Sequence, residues 1–291
     1  MASRRPDSAG PPARIQPHGF LVGLTPDWRI VRVSANFGDH VAHAGASPIG
    51  RPLADILGDP AVHTLRNRLA LLRHPHGSAR LFALHATGTS RPIDVMMHMM
   101  GSEIVFAAQA STGQESGDPI GLVRALAARL DGHKLLDAML SEGARQLRAL
   151  TGFDSVSLFR WTSKGIPDLA AHCARGTLVA APAPRTGALR LIVDAGATGI
   201  AIVPKPNAGL LDRCLLRMPG PDDPDAMETA ASLVRLPLKA GGADWGVAIC
   251  LNNSPRQLGL ERFAVAELFS DLLTLRIAIL ESAGQRASGG A

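Results

Sequence analysis

Residues Arg14 to Leu24 read RIQPHGFLVGL. A Pro-His-Gly step leads straight into an apolar run, and the segments after that run decide the fold. FLVGL (20–24), TPDW (25–28) and RIVRVSAN (29–36) predict strand, turn, strand, with Thr25-Pro26-Asp27 supplying the turn chemistry. RPLADILG (51–58) and PAVHTLRNRLALLRH (60–74) predict helices, the second with Val62, Leu65, Leu69 and Leu72 on one face. Three strands are expected at 79–87, 91–100 and 103–110. In RPIDVMMHMM (91–100), Ile93, Val95, Met97 and Met99 alternate with Asp94, Met96, His98 and Met100. Both sets are largely apolar, the pattern of a central strand covered on both sides.

Working outward, QASTGQESGDP (109–119) is polar and Gly-rich and marks a linker. Asp118 followed by Pro119 is a helix start, and one helix is expected to about Leu150, with Leu136, Leu140, Gly143, Leu147 and Leu150 at spacings of one face. FDSVSLFRW (153–161) and DLAAHCA (168–174) predict strands. LRLIVDAGATGIAIVPKPN (189–207) predicts a strand leading into a long loop. SLVRLPL (232–238) and WGVAICLNN (245–253) predict a hairpin across KAGGAD, and a last helix covers about 259–283. No internal repeat is present.

The totals limit what such a chain does. Its 291 residues suggest two domains of ~100–150 residues each. A hydrophobic content of 46% supplies real cores. Aromatics are 4% and tyrosine is absent, which argues against a base-stacking platform for nucleic acid, and the charges behind the net +5 are scattered rather than striped. Cys173, Cys214 and Cys250 are far apart with no C-x-x-C, as in a reducing compartment. Residues 1–14 lack the apolar core of a signal peptide, and no apolar run reaches the ~18 residues of a membrane span. A soluble cytoplasmic protein is expected. No G-x-S-x-G, H-E-x-x-H or P-loop occurs, so an enzyme is not expected.

Two strands, short helices and three strands is the order of a PAS domain. Helix, antiparallel strands and helix is the order of a GAF domain. With RIQPHG ahead of them, the chain resembles the photosensory front end of bacterial phytochromes. GRPLADIL (50–57), TGFDSVSLFRW (151–161), LRLIVD (189–194), LLRMPGP (215–221) and WGVAICLNNSPR (245–256) are similar to successive family segments, in the family's order. The resemblance implies an α+β fold, a PAS domain followed by a GAF domain, each a central antiparallel sheet flanked by helices and joined by a phytochrome-type knot. The boundaries expected are a flexible leader at 1–13, PAS at 14–112, GAF at 118–285 and a disordered tail at 286–291. In the knot, Ile15 is the apolar plug, with Pro17 and His18 at the domain junction. His18 reads as a structural hydrogen-bonding residue, with a haem ligand as its alternative.

The departures from the family concern its chemistry. Bacterial members attach biliverdin through a cysteine shortly before I-Q-P-H-G, and MASRRPDSAGPPAR (1–14) contains none. Other members use a cysteine after S-x-S-P. At that place Asp222 follows Pro221, and Asp223 stands where a histidine lies over the bilin. The P-A-S-D-I-P segment has no counterpart between about Val179 and Leu189. The two histidines of C-H-H fall on Leu251 and Asn252, after Cys250. The family's PHY domain and kinase have no counterpart in this sequence.

The function expected is a non-enzymatic sensory module with a degenerate chromophore site, acting on a partner in trans. The alternatives are a photoreceptor holding biliverdin non-covalently or through Cys214 or Cys250, and a ligand-free dimeric scaffold. The pocket candidates are Cys214, Arg217, Pro221, Asp222, Asp223, Cys250 and Asn252. Cys250, in an apolar strand, also reads as a small core residue. His40 with His43, and His74 with His76, lack a third ligand at metal spacing, so no metal site is expected. In the last helix Val265, Leu268, Leu272, Leu275 and Ile279 form a heptad seam for a homodimer, while Ala266, Phe269, Leu273, Ile277 and Leu280 form a second apolar face.

Overall fold

The computed structural model describes residues 13–42, 47–72, 77–113, 117–176, 180–207, 209–220, 230–240 and 243–289. In chain order the elements are β1 (Arg14–Ile15), β2 (Gly19–Leu24), β3 (Ile30–Ser34), α1 (Phe37–His40), α2 (Ala54–Leu57), α3 (Asp59–Ala70), β4 (Ala79–Leu84), β5 (Ile93–Met100) and β6 (Glu103–Ala110). They continue as α4 (Pro119–Leu130), α5 (Leu136–Thr151), β7 (Ser155–Trp161), β8 (Pro167–Ala174), β9 (Arg190–Ile192), β10 (Ile200–Val203), β11 (Ser232–Ala240), β12 (Ala243–Asn252) and α6 (Leu260–Gly289). Two compact units result: Met1–Ser111 with Ala197–Asp223, and Thr112–Gly196 with Pro224–Ala291.

The first unit is an antiparallel seven-stranded sheet in the order β1-β10-β3-β2-β6-β5-β4. Every residue of β2 is buried, because the sheet is covered on both faces. On one face Phe20, Val22 and Leu24 meet Ile56, Leu57, Val62 and Leu65 of α2 and α3, with Val95, Met97 and Phe106 from the neighbouring strands. On the other face Leu21, Val105 and Ala107 meet Ile202, Leu210, Leu211, Cys214 and Leu216. Alternation along each strand sends successive side chains to these two cores.

The 197–223 segment departs from the sequence reading. The stretch read as a long loop contains β10, and β10 joins the first unit, so the span expected as one domain at 118–285 is interrupted in space. β10 lies between β1 and β3, with Arg14 opposite Ala201 and Val33 opposite Val203. The other edge of β1 is taken too. The Gln16 amide donates to the Leu216 carbonyl at 2.7 Å, and the Met218 amide donates to the Arg14 carbonyl at 2.9 Å. Ile15 is fully buried between the two. Arg32 locks the same segment: its guanidinium pairs with both oxygens of Glu103 at 2.6 and 3.0 Å and donates to the carbonyls of Pro204 and Lys205 at 3.1 and 3.2 Å. Gly19 is required by close approach, since a Cβ there would stand 2.5 Å from the Ala108 carbonyl and 2.8 Å from Leu216. The knot expected from the sequence also involves residues 1–12, which lie outside the described residues.

The second unit is a five-stranded antiparallel sheet, β8-β7-β12-β11-β9, with α4, α5 and α6 packed together on one face. Asp118 caps α4 by accepting the Gly121 amide at 2.8 Å, as its sequence position predicts. The single helix expected from 119 to about 150 is broken: α4 stops at Leu130 and α5 begins at Leu136. Gly132 costs about 1 kcal/mol in a helix interior, and the extended Leu135 resets the direction. Along α6, Ala266, Phe269, Leu273 and Ile277 are fully buried. Ser270 and Thr274 sit among them with hydroxyls donating to the carbonyls four residues back, which spares both an unpaired polar atom. Leu268, Leu275 and Ile279 are exposed and Leu272 is half-buried, whereas Val265 of the same seam is buried inside the unit.

Ile15→Asp is expected to destabilise the first unit by about 3 kcal/mol or more, because it leaves an unpaired charge in a closed apolar layer. Urea unfolding read by Trp28 emission, with Trp161 and Trp245 replaced by Phe, measures this.

Candidate functional site

The described residues singled out by sequence divide between the two units. Cys214 is buried in the first unit's core with Ile15, Leu21 and Val105. Arg217 lies in the same unit, its backbone bridged to Ile15. Pro221, Asp222 and Asp223 lie outside the described residues, as do His43, His74 and His76. Pro17 is exposed, and its carbonyl accepts from the Asn36 amide group at 3.3 Å. His18 packs inward; burial holds its imidazole at about 4, with a hydrogen bond to Gln109 opposing and His40 adding to the drop.

Cys250 and Asn252 belong to the second unit. Burial pushes the Cys250 thiol up to about 12, with a hydrogen bond to Thr151 of α5 acting the other way. It therefore faces the helices and stays protonated, which suits a core residue and not a nucleophile. Asn252 spends its amide nitrogen on the chain just beyond it, donating to the Ser254 carbonyl at 2.8 Å and the Ser254 hydroxyl at 3.1 Å.

The opposite face of that sheet, away from the three helices, has a different chemistry. Phe159, Ile192, Leu233, Val247 and Ile249 form an apolar floor with Ala181. Register carries a polar row across it. His172 pairs with Ser157, Ser157 with Ile249, Ile249 with Arg235, and Arg235 with Arg190. Both arginines are only 3% exposed. Cross-strand partners share a face, so two guanidiniums stand side by side above an apolar floor. Arg235 Nη1 donates to the Thr186 carbonyl at 3.3 Å. At the far end, the Ser157 hydroxyl lies 3.1 Å from His172 Nδ1 and accepts the Ala181 amide at 3.0 Å, so the 180–189 segment lies over part of this face. Two planar forks of N–H donors in an apolar setting suit carboxylate or phosphate groups.

Sequence reasoning missed Arg190 and Arg235. The available signal was a single arginine inside each of two apolar strands, LRLIV and SLVRLPL, where alternation assigns it a buried position. The cysteines avoid this face. Cys173 is the register partner of Val156, as Cys250 is, and so shares the helix side. The chain has three cysteines, and the third is in the first unit. Neither cysteine of the second unit therefore stands on this face.

Burial of neutral imidazoles makes the first unit pH-sensitive. His18 and His98 are each held at about 4, and burial also lowers His40. In the unfolded chain such groups take up protons near 6.5. The stability they contribute is thus full above about pH 6.5 and falls as pH drops toward 4. Thermal melts from pH 7.5 to 4.5 are expected to show a falling midpoint, with a shallower fall in His98→Leu.

Residues 10–107 match the family described as PAS fold. The structure resembles that of bacteriophytochrome RpBphP3 from the photosynthetic bacterium R. palustris, with a TM-score of 0.80 and 23% identity, covering 94% of this chain and 60% of that one. It also resembles the separately solved chromophore-binding domain of RpBphP3, described as an unusual bacteriophytochrome, with a TM-score of 0.78 and 23% identity, covering 94% of this chain and 97% of that one. The chain thus spans three-fifths of the longer structure and nearly all of the shorter. With one unit carrying the PAS match and both following the chromophore-binding domain, this chain is in fold a phytochrome-like PAS–GAF module.

Proposed function

We propose that the chain is a non-enzymatic sensory module whose chromophore site has diverged, cytoplasmic, and acting on a partner in trans. The observation that carries this reading is the placement of the thiols on a fold shared with a chromophore-binding domain. Cys173 and Cys250 face the helices, so neither thiol of the second unit stands on the opposite face of its sheet. Thioether formation needs a thiolate held against a vinyl carbon, so an ordinary covalent bilin is not expected. A second reading, biliverdin held without a covalent bond, is favoured by Arg190 and Arg235, whose guanidiniums suit its propionates. In either case these residues bind and orient, and no catalytic step is assigned to them. We further propose that the family's knot is kept, with the chain ahead of Arg14 threading the excursion that flanks β1.

The test is incubation with biliverdin, a visible spectrum, and zinc staining after denaturation. No zinc-fluorescent band is expected. Colour lost on denaturation supports the second reading, and then Arg235→Ala should weaken binding by about tenfold or more, the usual worth of a charge-assisted hydrogen bond. A band that survives denaturation overturns the reading, and its loss in Cys214→Ser or Cys250→Ser identifies the anchor.

A homodimer is part of the proposal. Leu268, Leu275 and Ile279 leave an exposed apolar stripe, 48%, 56% and 48% accessible, on one side of α6. At ~25 cal/mol/Å² such a stripe favours a helix–helix contact with a second copy. Sedimentation should show a dimer at micromolar concentration and a monomer for Leu272→Glu. A parent protein that is monomeric at high micromolar concentration overturns it.

A further inference from the structure

The helix-free face of the second unit is crossed by a piece of its own chain. Residues 180–189 meet it at three places. The Ala181 amide donates to the Ser157 hydroxyl on β7 at 3.0 Å. The Thr186 carbonyl accepts from Arg235 Nη1 on β11 at 3.3 Å. Gly187 passes the indole of Trp161, back on β7, so closely that a Cβ there would stand 3.5 Å from the ring. β12 lies between β7 and β11 in the sheet. The segment therefore crosses β12, whose Val247 and Ile249 belong to the apolar floor and are 0% and 4% exposed. Ala181 is part of that same cluster and is buried, so the strap plugs the floor with a methyl group.

The strap is not a strand. Pro182 and Pro184 have no amide to give to a ladder, so these residues cannot join the sheet. Both tethers end instead on a side chain of the sheet. Thr186 is shaped locally, its hydroxyl accepting the Ala188 amide at 3.1 Å, and this turn carries the carbonyl that meets Arg235. A segment fixed in this way belongs to the part of a fold that opens without global unfolding. The Thr186 carbonyl is also a neutral acceptor. A carboxylate or phosphate makes a charge-assisted bond to a guanidinium that is roughly twice as strong. An acidic group therefore outcompetes the strap for Arg235.

We propose that residues 180–189 are a gate: closed, they hold Arg235 and cover the floor, and an acidic ligand reaches the face only when they lift. The proposal rests on the reading of this face as the ligand face, and it adds a closed state that a ligand must displace. It makes Ser157 a residue of the gate, since its hydroxyl holds the Ala181 amide.

Thiol labelling of the full chain tests the gate. Val247→Cys puts a thiol beneath the strap, and its modification by iodoacetamide is followed by peptide mass. Opening sets the rate, so the introduced thiol should react slowly in the otherwise unchanged chain. Adding Ser157→Ala should speed it about fivefold, the worth of one hydrogen bond. Ala181→Pro removes the same bond from the strap side and leaves Ser157 beside His172, and it should give a similar rise. Cys250 lies on the same strand, is 0% exposed and faces the other way, so it reports global opening and should stay unlabelled. Circular dichroism melts check that each variant is folded. No rise in either folded variant, or a rise matched at Cys250, overturns the gate. The labelling contains no bilin, so its result is separate from that of the biliverdin test. Where biliverdin colours the parent, Ser157→Ala should take it up about fivefold faster, and equal rates overturn the strap's part in ligand entry.

Discussion

A strand of two residues holds hydrogen-bond partners on both edges, and the first unit is organised around that fact. A buried backbone amide or carbonyl without a partner is costly, so a segment entering a core must find partners for each. Arg14 and Ile15 find theirs in β10 on one side and in Leu216 and Met218 on the other. This explains residues that look unrelated in sequence. Gly19 lets Leu216 approach, Ile15 fills the space between the two partners, and Arg32 pins the chain after β10 to the strand beside it. Seen so, the Ile-Gln-Pro-His-Gly stretch is the inner strip of a clasp whose outer strips come from far along the chain.

The second unit depends on a separation of faces. Side chains between the sheet and the helices are apolar or, like Thr151 of α5 and Ser270 of α6, donate to the carbonyl four residues back. Residues facing away combine an apolar floor with a polar row. One substitution of parity would exchange these roles, because a strand shifted by one residue turns every side chain over. Gly246 guards the register where β12 meets β7: a Cβ at that position would run into the Phe159 carbonyl. The long helix α6 is tied to the inner strands β12 and β7 by Glu281, which accepts the Trp245 indole N–H at 3.1 Å and pairs with Arg160 at 2.9 Å.

Much of this was legible in the sequence. Period-two alternation located β5, a β-like run located β6, the hairpin across KAGGAD located β11 and β12, and the Asp118-Pro119 start located α4. The second apolar face of α6 is the buried one, as its spacing allowed. What could not be read were relations between distant positions. Ile200–Val203 is a four-residue apolar run whose sheet is chosen by partners more than 160 residues away, which no local pattern encodes. The helix break needed weight on Gly132 that propensity alone does not give. Titratable and reactive residue types stand out in a sequence, whereas an arginine inside an apolar strand does not. Cys250 is a buried core thiol of the second unit and Cys214 is buried in the first, while Arg190 and Arg235 gain meaning only once register sets them side by side.

The insertion of β10 also sets a timetable. During synthesis, residues 14–110 emerge well before residues 200–218, and translation at roughly 5–20 residues per second leaves an interval of several seconds between them. Through that interval β3 has an open edge, the kind of edge that recruits foreign strands. The strand waiting there is IVRVS, and its middle residue is Arg32. Glu103 has already been made and can hold that guanidinium in place, so a charge stands on the open edge until the proper strand arrives. The side chain that fastens the finished sheet is thus also its chaperone while the sheet is incomplete.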